Sequence, residues 1–141
     1  MGIKKLVGAF SCLFFCTPCL AYEFKSATEI TLFKNYALSA CVASHYEENT
    51  IYDDAIDSLN GNREYANLPL EAYYDLNEVL EEWSEKKYIS KSGNISEFFM
   101  CVDFHNSKDI FEIFYKYNPC RDDENWPSKD EFEVRCKRLD M

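Results

Sequence analysis

Glycine and proline are scarce in this 141-residue chain, with four of each. A phosphate-cradling loop therefore has little to be built from. The glycine-turn stretch "NGNREYAN" from Asn60 to Asn67 lacks the spacing such a loop needs. Basic residues are also few: 15 against 25 acidic ones, a formal charge of −10. Nucleic-acid phosphates would be repelled by that balance, whereas a basic protein partner would be attracted. Histidine occurs twice, at His45 and His105, and there is no paired CxxC and no HxxxH, so the usual zinc spacings are missing. No apolar run reaches the roughly 20 residues of a membrane-spanning helix. Strand patterns are missing as well: "FFMCVDF" is apolar enough for a short strand, but no partner run of similar character exists. Internal repeats, low-complexity stretches and interdomain linkers are likewise not found.

What the chain does have begins with a leader. Lys4 and Lys5 precede the apolar run "LVGAFSCLFF", and "CTPCLA" follows with a breaker at Pro18 and a small residue at Ala21. These are the three parts of a secretory signal peptide, residues 1–21, cut after Ala21. Cleavage before Cys19, as in a lipoprotein, meets Pro18 where a small residue belongs. The expected mature chain, residues 22–141, is one domain of 120 residues, sufficient for a single core. Losing Lys4 and Lys5 leaves 13 basic residues against 25 acidic, a formal −12. The seven cysteines fall to four: Cys41, Cys101, Cys120 and Cys136. An even number in an exported domain implies disulfides, and three connectivities are open.

Apolar residues then recur at helical spacing. Phe33, Tyr36, Ala37, Ala40 and Cys41 follow the i, i+3, i+4, i+7, i+8 pattern, with Thr28 or Thr31 able to cap the start. Ile51, Tyr52, Ala55, Ile56 and Leu59 repeat it, and Gly61 supplies a residue that closes helices. A third helix starts near Pro69 and carries Leu70, Tyr73, Leu76, Leu80 and Trp83, with Glu78, Glu81, Glu82 and Glu85 outward. A fourth places Phe98, Cys101 and Val102 on one face. A fifth places Ile110, Phe111, Phe114 and Tyr117 inward, with Asn106 or Ser107 as cap and Asp109 in its first turn. Ser128 and Glu131 form a capping box before Phe132, Cys136 and Leu139. The expected fold is all-α: five or six helices in one disulfide-stapled domain.

The chemistry-bearing stretch is "CVDFHNSKDIFEIF", Cys101 to Phe114. Cys101, His105 and Asp103 are the side chains of a cysteine hydrolase, and Cys101 and His105 share a helix face at i, i+4. Such enzymes usually draw Cys and His from distant segments, and disulfide formation competes for the sulfur. Cys101, Asp103, His105 and Asp109 are also conceivable metal ligands, without a recognised spacing; His45 and His105 read as boundary residues. "NIS" at Asn94–Ser96 is a glycosylation sequon, relevant only to a eukaryotic secretory route. "RDDENW", Arg121 to Trp126, is an acidic interhelical run ending in a large aromatic, either a solvated loop or a finger for a basic partner.

"FKNYALSACVAS" (Phe33–Ser44), "YISKSGN" (Tyr88–Asn94), "MCVDFHNSKDI" (Met100–Ile110) and "NW" (Asn125–Trp126), in this order behind a leader, resemble the immunity proteins that neutralise peptidoglycan amidase effectors of bacterial type VI secretion. The resemblance spans Phe33 to Trp126. It implies an all-helical periplasmic protein, often a homodimer, that covers the groove of an amidase cutting the cell-wall peptide stem. That amidase is itself a cysteine hydrolase, and the immunity protein performs no turnover. It further implies a Cys41–Cys101 bridge, which leaves Cys120 and Cys136 for each other. The expected effector-binding residues are Ser90, Lys91, Gly93 and Asn94 in one loop, and Arg121, Asp122, Asp123, Glu124 and Trp126 in another. No catalytic residue, cofactor, metal, nucleic acid or membrane (after leader removal) is expected. The rival readings are an exported disulfide-bonded helical module for another protein partner, and the Cys101/His105/Asp103 hydrolase.

Overall fold

The computed structural model describes residues 26–47 and 50–136, so the expected leader and its expected cleavage after Ala21 lie outside the described residues, as does Leu139. Six α-helices are described: α1 (Glu29–His45), α2 (Thr50–Tyr65), α3 (Leu70–Ser84), α4 (Glu97–His105), α5 (Lys108–Tyr117) and α6 (Lys129–Arg135). A 3₁₀ turn at Pro119–Arg121 separates the last two. Among the described residues there is no strand, only one isolated antiparallel bridge between Ile89 and Ile95. The all-α expectation holds, and "FFMCVDF" is helical.

α1 starts where Thr28 accepts a hydrogen bond from the Thr31 N–H at 3.4 Å, satisfying a donor that the first turn cannot use. The helix is apolar nearly all round. Leu32, Phe33, Tyr36, Ala37, Ala40, Cys41, Val42 and Ala43 are all buried. A helix without a polar face needs neighbours on several sides, and α2, α4 and α5 supply them. The small residues Ala37, Ser39, Ala40 and Ala43 let a neighbour approach closely, and Ser39 donates to Ser58 of α2 at 2.9 Å.

Ile51 and Tyr52, expected on the apolar face of α2, are 49 % and 36 % exposed; three further departures from periodicity have physical reasons. α2 runs through Gly61 to Tyr65 instead of stopping. Asn62 is buried and donates to the Ser58 carbonyl at 2.7 Å, and Arg63 lies over the Tyr73 ring at 5.5 Å. The burial of Asn62 and the Arg63–Tyr73 contact with α3 hold this last turn against the roughly 1 kcal/mol that glycine costs a helix interior. Leu70, expected inward, is 43 % exposed. At about 100° per residue it sits about 120° around α3 from Leu76, the centre of the buried face. Phe98, expected beside Cys101, is 53 % exposed, because the buried face of α4 is Met100, Cys101 and Phe104.

α3 and α5 close the body. Ser107 caps α5 by accepting from the Ile110 N–H at 3.4 Å. The Trp83 indole donates to Asp109 at 2.7 Å, and its ring meets Phe104 at 5.6 Å between centroids. Asp109 thus joins two helices. Asp75 accepts from Lys116 at 2.7 Å and Tyr117 at 2.9 Å at the other end of the contact. Phe33, Phe104 and Phe114 are fully buried; each contributes about 1.5–3 kcal/mol relative to exposure.

Two disulfides are present, Cys41–Cys101 and Cys120–Cys136. The first joins α1 to α4 inside the core, and both its residues are fully buried. The second closes the tail on itself. α6 is capped as expected, Ser128 accepting from the Glu131 N–H at 3.1 Å. Its inward residue, however, is Arg135, with Phe132 and Cys136 half-buried. The reason is Glu29, fully buried at the start of α1. Glu29 accepts from the Asn67 N–H at 2.8 Å, and the Arg135 Nε lies 4.0 Å from its other oxygen. Arg135 also faces Glu131 at 3.6 Å and the Tyr65 ring at 5.8 Å.

Burial pushes the Glu29 carboxyl up to about 7 from its ordinary 4.5, with the Asn67 N–H and the Arg135 charge pulling it down and the Glu131 charge pushing it up. Between those values the folded chain holds a proton the unfolded chain has released. The stability this group contributes is therefore full below about pH 4.5 and is lost as pH rises through about 7. The pH profile of urea unfolding for wild type minus Glu29→Gln is expected to fall by about 3 kcal/mol from pH 4 to pH 8. Separately, Cys41→Ala/Cys101→Ala removes a closure of 60 residues. In non-reducing urea titrations it is expected to lower the unfolding free energy by about 4 kcal/mol.

Candidate partner-binding surface

The segment joining α3 to α4 is a hydrogen-bonded turn. Ser90 N–H donates to the Asn94 carbonyl at 2.8 Å, Gly93 N–H to the Ser90 carbonyl at 2.9 Å, and Ser96 N–H to the Tyr88 carbonyl at 2.8 Å. The Ser90 hydroxyl accepts from the Asn94 N–H at 3.2 Å and meets Ser92 at 2.8 Å. Gly93 has φ +84°, the left-handed conformation that favours glycine. Tyr88 holds the base of the turn, packed against the core. Burial and the neighbouring Asp103 carboxylate push its phenol above the usual value. Asp103 of the presumed hydrolase set thus faces this turn.

The predicted residues Lys91, Gly93 and Asn94 are exposed and Ser90 half-buried. What periodicity misses is the apolar surface around them. Ile89 is 68 % exposed, Ile95 61 %, and Phe99 65 %, and Phe98 adds to them. Tyr88, Ile89, Ser90, Lys91, Ser96 and Phe99 line a groove of about 390 Å³. The available signal was four large apolar residues within eleven positions around a glycine turn, two of them β-branched in a connection too short for a core strand.

The second predicted group is held differently. Asp122, Asp123 and Glu124 are exposed. Arg121 donates to the Tyr115 carbonyl, and Asn118 accepts from the Cys120 N–H at 2.9 Å. Trp126, expected as a partner anchor, is half-buried within the tail. Its indole donates to the Pro119 carbonyl at 3.0 Å and its ring meets Phe132 at 5.6 Å. It organises the acidic loop from inside.

The hydrolase and metal readings on "CVDFH" are not assembled. Cys101 is a buried disulfide sulfur with no thiolate to offer. Asp109 is engaged by Trp83. Burial, then the Lys34 charge, lowers the His105 imidazole below its ordinary value. Lys34 donates to Asn106 at 3.1 Å, and Asn106 ends α4. The metal-ligating types gathered among the described residues are instead Cys41, Cys101 and His45, with ligand atoms within 4.8 Å of one another.

The family model described as Tai4, type VI secretion system amidase immunity protein, matches residues 31–114. This chain belongs to that family. Three solved structures share the family's fold. A chain of the Tae4/Tai4 effector–immunity system of Salmonella typhimurium (selenomethionine variant) is 25 % identical, with 66 % of this chain and 92 % of that chain covered at TM-score 0.61. A chain of the complex between Tae4 of S. typhimurium and the immunity Tai4 of Enterobacter cloacae is 20 % identical, with 63 % and 92 % covered at TM-score 0.59. A chain of the E. cloacae Tae4–Tai4 complex is 21 % identical, with 61 % and 88 % covered at TM-score 0.57. The comparison with curated protein sequences gives no match. The family match includes the 88–96 turn and stops before the disulfide-closed tail.

Because a Cβ on Gly93 would meet nothing within 4 Å, substitution strains the backbone alone. Gly93→Ala is expected to cost the turn about 1 kcal/mol. Limited proteolysis within 88–96 should accelerate about fivefold while the melting temperature barely moves; Gly93→Asn, which tolerates the left-handed region, should show a smaller effect.

Proposed function

We propose that this member of the amidase immunity family is exported to the periplasm, binds a Tae4-type amidase and occludes its active-site groove, performing no turnover itself. The observation that carries this reading is the preorganised 88–96 turn, which presents Ile89, Ile95 and Phe99 to solvent on a hydrogen-bonded frame. An exposed apolar patch on a preformed loop marks a protein contact, and prior ordering lowers the entropic cost of association. Ser90, Lys91, Gly93 and Asn94 are the polar tip of that surface. Asp122, Asp123 and Glu124, with Arg121 and Trp126 shaping their loop, are a second contact whose charge draws a basic effector surface and speeds encounter. The leader at residues 1–21, cut after Ala21, and two disulfides support a periplasmic destination. A homodimer, as the family resemblance implies, would present two copies of the turn. The carboxylate-rich character of the mature chain supports solubility and disfavours nucleic acid as partner.

The test is rescue. An amidase-like neighbouring reading frame, expressed in the periplasm, should kill cells unless this chain is co-expressed; lack of protection at equal expression would sink the pairing. Ile89→Asp and Phe99→Asp should each weaken binding of the purified amidase about 100-fold, the scale of a central interface residue. Neither should change circular dichroism or melting, because both side chains are exposed.

A further inference from the structure

The Cys41–Cys101 bridge has two neighbours that its stapling role does not use. His45 lies one helical turn beyond Cys41 on the same face of α1, and its Nδ1 is within 2.9 Å of the Cys41 carbonyl oxygen and of the Ser44 hydroxyl. A ring nitrogen of His45 and both sulfurs lie within 4.8 Å of one another. Met100, the residue before Cys101, places its thioether 3.9 Å from the Cys41 sulfur. His45 and Met100 also line one cavity of about 280 Å³, together with Lys86, Tyr88 and Glu97, while the bridge sulfurs themselves are fully buried. Once the bridge is reduced, its two thiols join a thioether and an imidazole, from two helices, as a soft donor set with no carboxylate among them. Thiolate ligands suit Cu(I) and Zn(II) alike, the added thioether favours the softer Cu(I), and the hydrogen bonds at Nδ1 orient the imidazole as outer contacts do in metal sites.

We propose that the reduced chain holds one Cu(I) ion on Cys41, Cys101, His45 and Met100, so that the cation and the disulfide are alternative occupants of the same two sulfurs. A dithiol reductant opens the bridge, giving two electrons and two protons to the sulfurs and leaving as its own disulfide. Cu(I) then binds the sulfurs as thiolates, and the two thiol protons pass to solvent. No change of copper oxidation state is involved. An exported chain that meets Cu(I) before its cysteines are oxidised would be held reduced at this pair. The Cys120–Cys136 pair, outside this donor group, would be free to close.

The experiment uses the purified protein, reduced with dithiothreitol, desalted anaerobically and titrated with Cu(I) against a chromophoric Cu(I) chelator. One equivalent is expected at this site, with Cys41 and Cys101 protected from iodoacetamide at least tenfold relative to Cys120 and Cys136 by peptide mass spectrometry. His45→Gln and Met100→Leu, both mild for the fold, should each weaken Cu(I) binding about tenfold, and the oxidised protein should bind none. Unchanged affinity in both variants would overturn the proposal, reducing the site to any pair of thiols. Equal protection of all four cysteines, or displacement of Cu(I) by equimolar Zn(II), would overturn it as well. Circular dichroism of the reduced variants separates loss of the site from loss of the fold: an unfolded reduced chain that still binds one equivalent also counts against it.

Discussion

A helix that is apolar nearly all round must be covered almost everywhere, and that constraint on α1 organises the molecule. Its buried residues run from Leu32 to Ala43 with little interruption. Alanines and a serine on its surface bring α2 close, while Phe33 and Tyr36 meet Tyr73 of α3 at 5.9 and 4.6 Å between ring centroids, and Phe33 meets Phe114 of α5 at 6.3 Å. The Cys41–Cys101 bridge sits inside this packing, so it ties together two surfaces that burial already brings into contact. A covalent link there narrows the unfolded ensemble without asking the core to move.

The same constraint accounts for where the connecting segments sit. With α1 enclosed, the connection between α3 and α4 is left outside. It is anchored at its base by Tyr88 and near one end by the Trp83–Asp109 bond. The backbone groups of the turn satisfy one another, and its apolar side chains are exposed because no core remains to receive them. That combination suits a surface that fills another protein's groove. The tail follows a separate logic. It lies beyond the family match, is closed by Cys120–Cys136, and docks through Arg135 onto the buried Glu29. A buried carboxylate is unfavourable without a partner, and the partner arrives from more than a hundred positions away in the chain.

Helix content, the caps at Thr28, Ser107 and Ser128, and the inward sets of α1 and most of α3 were legible because each depends on neighbours within one or two turns. The family resemblance on "YISKSGN" and "MCVDFHNSKDI" located the turn and the Cys41–Cys101 pairing. Gly61, Leu70 and Phe98 were misplaced for a shared reason. Local propensity and a loosely centred periodicity cannot say which neighbour arrives, and a shift of about 110–120° around a helix carries a residue from core to solvent. Ile89, Ile95 and Phe99 were missed because large apolar residues in sequence ordinarily signal burial, and only a finished core shows which of them were left over. Trp126 shows the converse, an aromatic that resembles an anchor for a partner but is used within its own loop.

By itself, then, the sequence determined an all-helical domain of one family, with its cysteines available as staples, because periodicity, capping chemistry and composition are short-range properties. Only the tertiary structure decided that Glu29 and Arg135 share a buried site, that Trp83 closes on Asp109, and that His45 and Met100 stand beside the Cys41–Cys101 sulfurs. Those relations depend on which helix faces meet, and that is settled by the collective need to cover α1.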